Sequence, residues 1–200
     1  MNTINLYGAS GHAKVIMDIL HSMGVNVGKI FDDNPDIHVL DGINVYHQID
    51  DIESPIIISI GNNTIRQKIV RKNPNFVFGK AVHTSSILSP TVSVGEGTVI
   101  MQGTIIQSDA HIGKHCIVNS GASVDHECFI EDFVHISPHA TLCGNVTVGE
   151  GTWIGAGSTV IQSVNIGKWS VIGAGSVVVS DIPDGVVAYG NPCKVIKKIE

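Results

Sequence analysis

The sequence predicts a small Rossmann-like α/β unit followed by an all-β parallel solenoid of hexapeptide repeats. Two observations support this fold class. Apolar strands alternate with helical stretches up to about residue 82, and an aliphatic residue then recurs at every sixth position. We expect an α/β unit over 1–82, a solenoid over 83–183 and a C-terminal tail over 184–200.

The α/β prediction follows from the order of the apolar segments. In chain order they are a strand in INLYG (4–8), a helix in AKVIMDILHSMG (13–24), a strand in GKIFDD (28–33), a strand in PIIISIG (55–61) and a helix in NTIRQKIVRK (63–72). Alternating strands and helices favour a parallel sheet, whose ligand crevice lies at the carboxyl ends of the strands.

The glycine loop GASGH joins the first predicted strand to the first helix. It lacks the full G-x-G-x-x-G pattern, which argues against a dinucleotide site. Amides at the start of a helix can hold a phosphate group, so the loop predicts a site for a nucleotide or a nucleotide sugar. The alternative is a tight turn without a ligand.

The solenoid prediction follows from a period of six. From Leu88 to Val178 all sixteen positions of the series are Leu, Ile or Val, and a small residue such as Thr98 usually follows four positions later. A helix would need a period of 3.6 and a plain strand a period of two. WIGAGSTV at 153–160 returns as VIGAGSVV at 171–178, so three hexapeptides close one coil of eighteen residues. Coils spaced by ~4.8 Å give a stack roughly 25 Å tall.

Composition narrows the function classes. Hydrophobic residues make up 43% of the chain and charged residues 15%, which is typical of a compact fold. The formal net charge of -6 provides no basic surface for nucleic acid. No apolar stretch approaches the ~20 residues that span a bilayer, and no basic region precedes an apolar run at the N-terminus. Four cysteines without paired spacing indicate reduced thiols. We expect a cytoplasmic protein without membrane insertion.

Several motifs together resemble a known family. YGASGH, FDD after the second strand, ISIGNNTIR and the later HEC…H inside the hexapeptides are similar to those of bacterial sugar acetyltransferases of the hexapeptide-repeat class. The resemblance covers nearly the whole chain. It is closest to enzymes that acetylate the 4-amine of a UDP-linked 4-amino-4,6-dideoxy sugar, as in bacillosamine synthesis, for surface glycans or protein glycosylation. Sialic acid O-acetyltransferases and perosamine N-acetyltransferases share the layout.

This resemblance implies a left-handed β-helix, acetyl-CoA as the donor, a UDP-amino sugar as the acceptor and a homotrimer. It also implies binding positions for both substrates. For the donor they are His135, Ala156 and Ala174. For the sugar nucleotide they are Ser10, Gly11, His12, Asp32, Asp33, Gly61 and Asn62, with Asn119 orienting the substrate or a histidine. The tail lysines, Lys194, Lys197 and Lys198, either meet the CoA phosphates or form a solvated end.

The stretch ASVDHECFIEDFVHISPHA (122–140) contains the candidate catalytic group. The six-residue register places His126 and Glu127 at an outward-facing corner. Gly144 stands one coil away from His126, which leaves open space over the imidazole. Imidazole accepts a proton near neutral pH, so His126 is the candidate general base. The resemblance implies that Glu127 raises its basicity.

Three rival interpretations use the same residues. A zinc site would recruit His126, Glu127, Cys128, His135 and His139, but Cys128 occupies the small inward position of its hexapeptide and the spacing matches no familiar four-ligand pattern. Carbonic-anhydrase-like trimers share the coil and use three histidines on zinc, yet we expect no metal here. A cysteine acyl-enzyme lacks a clear activating partner for Cys128 or Cys143. In the third interpretation, His126 is a solvated residue of a non-catalytic scaffold.

Overall fold

The computed structural model describes residues 3–49, 52 and 54–199. Over these residues a small α/β sheet with two helices precedes a three-sided parallel solenoid, which confirms the predicted fold class. No helix in the described ranges is long and apolar enough to cross a membrane.

The α/β unit is a mostly parallel sheet with order β3-β4-β2-β1-β5, in which only β3 runs antiparallel to its neighbour. Its elements are β1 (Thr3–Tyr7), α1 (Gly11–Ser22), β2 (Asn26–Phe31), β3 (Val39–Leu40), β4 (Ile43–Tyr46), β5 (Ile56–Ile58) and α2 (Asn63–Lys72). The second helix has the predicted bounds because Asn62 caps it, its side-chain oxygen accepting the amide of Ile65 at 3.0 Å.

The solenoid consists of two-residue strands separated by four-residue corners. The strands are β6 (Ala81–Val82), β7 (Ile87–Leu88), β8 (Ser93–Val94), β9 (Val99–Ile100), β10 (Ile105–Ile106), β11 (His111–Ile112), β12 (Ile117–Val118), β13 (Ser123–Val124), β14 (Phe129–Ile130), β15 (His135–Ile136), β16 (Thr141–Leu142), β17 (Thr147–Val148), β18 (Trp153–Ile154), β19 (Thr159–Val160), β20 (Asn165–Ile166), β21 (Val171–Ile172) and β22 (Val177–Val178). Paired residues are eighteen apart, as Ile106 and Val124 are, so three hexapeptides close each coil.

The strands form three faces. Face 1 has the order β24-β23-β21-β18-β15-β12-β9-β6, face 2 has β22-β19-β16-β13-β10-β7, and face 3 has β20-β17-β14-β11-β8. β23 (Val186–Tyr189) and β24 (Lys194–Lys198) close the C-terminal end of face 1. Face 1 therefore begins before residue 83 and continues beyond residue 183, the two boundaries predicted from the sequence.

The core of the solenoid is the predicted series of aliphatic side chains. From Ile100 to Val178 every member is buried, and only Leu88 and Val94 at the N-terminal end are partly exposed. Each buried aliphatic side chain contributes about 1.5–3 kcal/mol relative to an exposed one, so repetition of the hexapeptide stabilises the stack.

The α/β unit packs on face 1. Outward-facing Ala81, Val99 and Ile117 of this face are buried in one cluster with Leu6 of β1 and Ile16 of α1. The corner where face 2 meets face 3 lies on the opposite side of the triangular coil. This arrangement decides where the predicted site residues lie relative to one another.

Candidate active site

His126 and Glu127 lie at the corner between β13 on face 2 and β14 on face 3. Glu127 has a positive φ of 58° and occupies the tight part of the turn. The Nδ1 atom of His126 lies 3.1 Å from Oε2 of Glu127, and the two side chains are 57% and 65% exposed. With Nδ1–H donating to the carboxylate, Nε2 is the nitrogen that accepts a proton from a ligand.

The His126 imidazole packs on Gly144, one coil further along. A Cβ atom built on Gly144 would lie 2.5 Å from Cε1 of His126, so the ring occupies the space that a side chain at 144 would need. A surface pocket of about 600 Å³ surrounds this pair, lined by Asp125, His126, Glu127, Cys143, Gly144, Asn145, Gln162 and Ser163. The sequence interpretation did not include Asn145, Gln162 or Ser163, although two steps of eighteen residues from His126 lead to Gln162, and one and two such steps from Glu127 lead to Asn145 and Ser163.

Burial argues against Cys128 as a nucleophile for this pocket. Cys128 points into the solenoid, where its Sγ lies 3.2 Å from the carbonyl of Cys143, and burial raises the pKa of the Cys128 thiol. A raised pKa lowers the thiolate fraction on which nucleophilic attack depends.

The histidines of the zinc hypothesis do not converge. His126 lies at the corner of faces 2 and 3, His135 lies on face 1, and His139 packs on Gly121 at the corner of faces 1 and 2. In the described ranges no group of three or more His, Cys, Asp or Glu side chains is arranged to hold a metal ion.

Ala156 and Ala174 form an exposed column at the corner of faces 1 and 2. Their amide N–H groups donate to no other group among residues 3–49, 52 and 54–199. The next residues, Gly157 and Gly175, would meet no atom within 4 Å if a Cβ were added. Pro138 stands one coil before Ala156 in the same column and has no N–H. The column therefore offers two unshielded amides eighteen residues apart.

The side chain of His135 does not join this column. It is buried on face 1, stacked on Trp153 with ring centroids 5.5 Å apart and an interplanar angle of 4°. Its Nε2 lies 3.2 Å from Nδ2 of Asn119. Within one chain, Asn119 thus orients His135 and not His126. Burial, followed by the charge of Arg66, lowers the pKa of His135 to about 3.

The glycine loop presents an open surface at the carboxyl end of β1. Ser10 is the N-cap residue of α1, and its side chain makes no capping bond. A Cβ added to Gly11 or to Gly61, at the end of the strand β5, would meet no atom within 4 Å. His12 is largely buried beside this opening, and no described group is a hydrogen-bond partner of its Nε2. The predicted positions Ser10, Gly11, His12 and Gly61 therefore share one crevice.

Asp32 and Asp33 follow β2 at the same edge of the sheet. Oδ2 of Asp32 accepts the amide of Ala9 at 2.6 Å, and Oδ1 of Asp33 accepts the hydroxyl of Tyr7 at 2.6 Å. Burial and the Asp33 hydrogen bond raise the pKa of Tyr7. Asp32 thus braces the glycine loop and Asp33 holds the last residue of β1, roles that the sequence interpretation did not assign to them.

The two groups of site residues are separated within one chain. The crevice belongs to the α/β unit, which packs on face 1, whereas the His126 pocket is lined by solenoid residues between 125 and 163 and lies at the opposite corner.

Known family models match both the α/β unit and the solenoid. Residues 3–73 match the family model described as the PglD N-terminal domain, and residues 145–180 match the model of the bacterial transferase hexapeptide, six repeats. A segment covering 54% of the chain is 34% identical to uncharacterized protein L142 of Acanthamoeba polyphaga mimivirus and spans 23% of that protein.

Solved structures match over nearly the full length. A histidine-to-asparagine variant of perosamine N-acetyltransferase from Caulobacter crescentus, in complex with CoA and GDP-perosamine, is 36% identical with a TM-score of 0.92, covering 99% of this chain and 98% of that one. The acetyltransferase domain of PglB from Neisseria gonorrhoeae, solved with acetyl coenzyme A, is 32% identical with a TM-score of 0.90, covering 98% and 100%. WeeI from Acinetobacter baumannii is 26% identical with a TM-score of 0.87, covering 98% and 100%.

The chain belongs to the sugar N-acetyltransferases of the hexapeptide-repeat, left-handed β-helix family.

Proposed function

We propose that the protein transfers the acetyl group of acetyl-CoA to the 4-amine of a UDP-linked 4-amino-4,6-dideoxy sugar. The observation that carries this proposal is the His126–Glu127 pair, held over Gly144 in an open pocket at a solenoid corner. The similarity to perosamine and PglB acetyltransferases supports both the donor and an amine acceptor.

His126 is the proposed general base. As the sugar amine attacks the thioester carbonyl, Nε2 takes the amine proton, the new N–C bond forms and the C–S bond breaks. The proton then leaves with the CoA thiolate as a thiol. Glu127 keeps Nδ1 protonated and stabilises the imidazolium that forms, as a carboxylate partner does in other general-base sites.

Gly144 is a further candidate in this reaction. Its amide donates to no protein group in the described part of the chain, and it lies under the His126 ring. An unpaired amide in this position can donate to the oxyanion of the tetrahedral intermediate.

The Ala156–Ala174 column is the proposed donor site. A linear pantetheine chain carries amide carbonyls that accept hydrogen bonds, and the two exposed N–H groups are suitable donors for them. The absence of larger side chains allows a ligand to approach the backbone closely.

A homotrimer is the proposed assembly. The crevice of the α/β unit and the His126 pocket lie on opposite sides of one solenoid, so the acceptor held by one copy meets the base of a neighbouring copy. Closed cyclic symmetry then provides three equivalent sites.

GDP is a second candidate for the nucleotide of the acceptor. Perosamine N-acetyltransferase was solved with GDP-perosamine, so a GDP-linked 4-amino sugar stands beside the UDP-linked one. A panel of UDP-linked and GDP-linked 4-amino-4,6-dideoxy sugars and sialic acid, assayed by release of free CoA thiol, separates these acceptors. Turnover of sialic acid alone would contradict the amine acceptor.

The general base is tested by substitution. We expect His126→Ala to reduce kcat by about 100- to 10,000-fold while the affinity for acetyl-CoA is retained. Glu127→Ala should reduce kcat less, because the carboxylate only orients and stabilises the imidazole. Wild-type kcat in His126→Ala, together with its loss in His135→Ala, would show that the base is the other histidine.

A further inference from the structure

Arg66 of α2 is a fully buried cation at the junction of the α/β unit and the solenoid. Its relative exposure is 1%. No Asp or Glu forms an ion pair with it among the residues that the structure describes. Burial lowers the pKa of Arg66 to about 10, so the side chain keeps its charge at neutral pH. A buried charge without a counter-ion is costly unless hydrogen bonds satisfy it.

The hydrogen bonds of Arg66 use every N–H that its guanidinium carries. Nε donates to the carbonyl of His115 at 2.8 Å, and Nη2 donates to the carbonyl of Phe133 at 2.9 Å and to Oδ1 of Asn63 at 2.8 Å. Nη1 donates to the carbonyls of Ile60 at 3.0 Å and Gly61 at 3.3 Å. A guanidinium has five donors, so none remains for a substrate.

These acceptors belong to two parts of the molecule. Ile60 and Gly61 follow β5 and border the crevice of the α/β unit, whereas His115 and Phe133 lie on neighbouring coils at the corner of faces 3 and 1. Asn63 extends the bridge to a third coil, because its Nδ2 donates to the carbonyl of Gly151 at 2.9 Å.

We propose that Arg66 is a positioning residue for acetyl transfer, which fixes the Gly61 edge of the acceptor crevice to the solenoid. This proposal rests on the proposed function, since the crevice holds the sugar nucleotide there. The fork geometry is essential, because a lysine has only three donors and would leave at least two of the five acceptors without this partner. Arg66 therefore acts on where the acceptor lies relative to the solenoid and touches neither substrate.

The test compares the two Michaelis constants in Arg66→Met and Arg66→Lys. We expect KM for the sugar nucleotide that wild type acetylates to rise at least tenfold in Arg66→Met, with an unchanged KM for acetyl-CoA and an unchanged oligomeric state. Arg66→Lys should show an intermediate rise. The matched control is Arg71→Met on the same helix, an exposed arginine that lies 3.8 Å from Glu150, and its KM values should equal those of wild type.

Two outcomes would overturn the proposal: equal changes in both Michaelis constants, or a wild-type acceptor KM in folded Arg66→Met. If Arg66→Met does not fold, Asn63→Ala removes one acceptor and the bond to Gly151, and a wild-type acceptor KM there has the same meaning. If wild type acetylates no amino-sugar nucleotide, the proposed function fails by itself. Calorimetric titration with UDP and GDP then replaces the kinetic readout, and equal affinities in wild type and Arg66→Met overturn the proposal.

Discussion

At the scale of single residues, the His126 pocket depends on the missing side chain at Gly144. A methyl group there would lie 2.5 Å from Cε1 of the imidazole ring and would displace His126, the proposed base. Displacement of a catalytic group by about 1 Å can cost roughly 100-fold in rate.

We therefore expect Gly144→Ala to lower kcat by about that factor with little change in melting temperature. Ser108→Ala, one coil away on the other side, is the control and should retain activity. Steady-state kinetics of both variants provide the measurement, and full activity of Gly144→Ala would contradict the assigned base.

Sequence reasoning found some of these residues and missed others for a physical reason. A step of eighteen residues places Gly144 beside His126 because solenoid neighbours are fixed by register alone. No sequence period indicates the spatial neighbours of Arg66. In NTIRQKIVRK it is one of several cations on a helix, and it becomes buried only when α2 packs on the coil corner. The bonds of Asp32 to the glycine loop and of Asp33 to Tyr7 likewise depend on the tertiary placement of β2 beside β1.

At the scale of elements, the junction between the α/β unit and the solenoid contains three neutral histidines. Burial, first among the causes, holds the pKa of His12 and of His115 at about 4 and that of His135 at about 3, against an ordinary value of 6.5. The unfolded chain therefore binds more protons than the folded chain between about pH 6.5 and pH 4. Stability is present above this window and is lost as the pH falls through it, by up to about 1.4 kcal/mol per pH unit for each histidine.

This pH dependence is tested by urea unfolding at pH 7.5 and pH 5.0. We expect a lower free energy of unfolding at pH 5.0, and a smaller difference in His115→Phe. The ring of His115 already stacks on Phe133 at 5.1 Å, and Phe133 occupies the equivalent corner position with the same positive φ, so phenylalanine is compatible with the site. The exposed corner residue His139 provides the control, because His139→Phe should leave the difference as in wild type. An identical pH difference in His115→Phe and wild type would contradict the prediction.

The strands of the solenoid and the second helix were predictable because their signals are local, and the coil length was predictable from the eighteen-residue repeat. The hairpin of β3 and β4 was missed although Asp41 and Gly42, both with positive φ, are the residues that a tight hairpin turn favours. The ends of the solenoid were harder to place, because β6 and β23 join face 1 without a full hexapeptide pattern around them.

At the scale of the whole molecule, the separation of the proposed acceptor crevice from the proposed base, His126, predicts complementation between two inactive variants. His126→Ala lacks the proposed base, and Gly11→Trp fills the proposed acceptor crevice without meeting protein atoms near its Cβ. Each variant alone should be nearly inactive. In randomly mixed trimers, about a quarter of the sites would combine an intact base with an intact crevice from a neighbouring copy. Activity regained after mixed refolding, with a trimeric mass by light scattering, is the expected result. No recovery, or an active monomer of 21.2 kDa, would contradict a shared site.

The regular coil also fixes distances along the solenoid axis. Pro138 ends the column of amides on one side. The backbone amides of Ala156 and Ala174 lie on the next two coils, and their separation is that of neighbouring strands, ~4.8 Å. An extra eighteen-residue coil inserted between 127 and 155 would leave the local surroundings of His126 and of both amides unchanged. It would nevertheless move the two amides by one coil spacing along the axis relative to His126. In the proposed donor site, the number of coils, and not only the identity of the residues on them, thus sets the distance between His126 and the amides that would bind the donor.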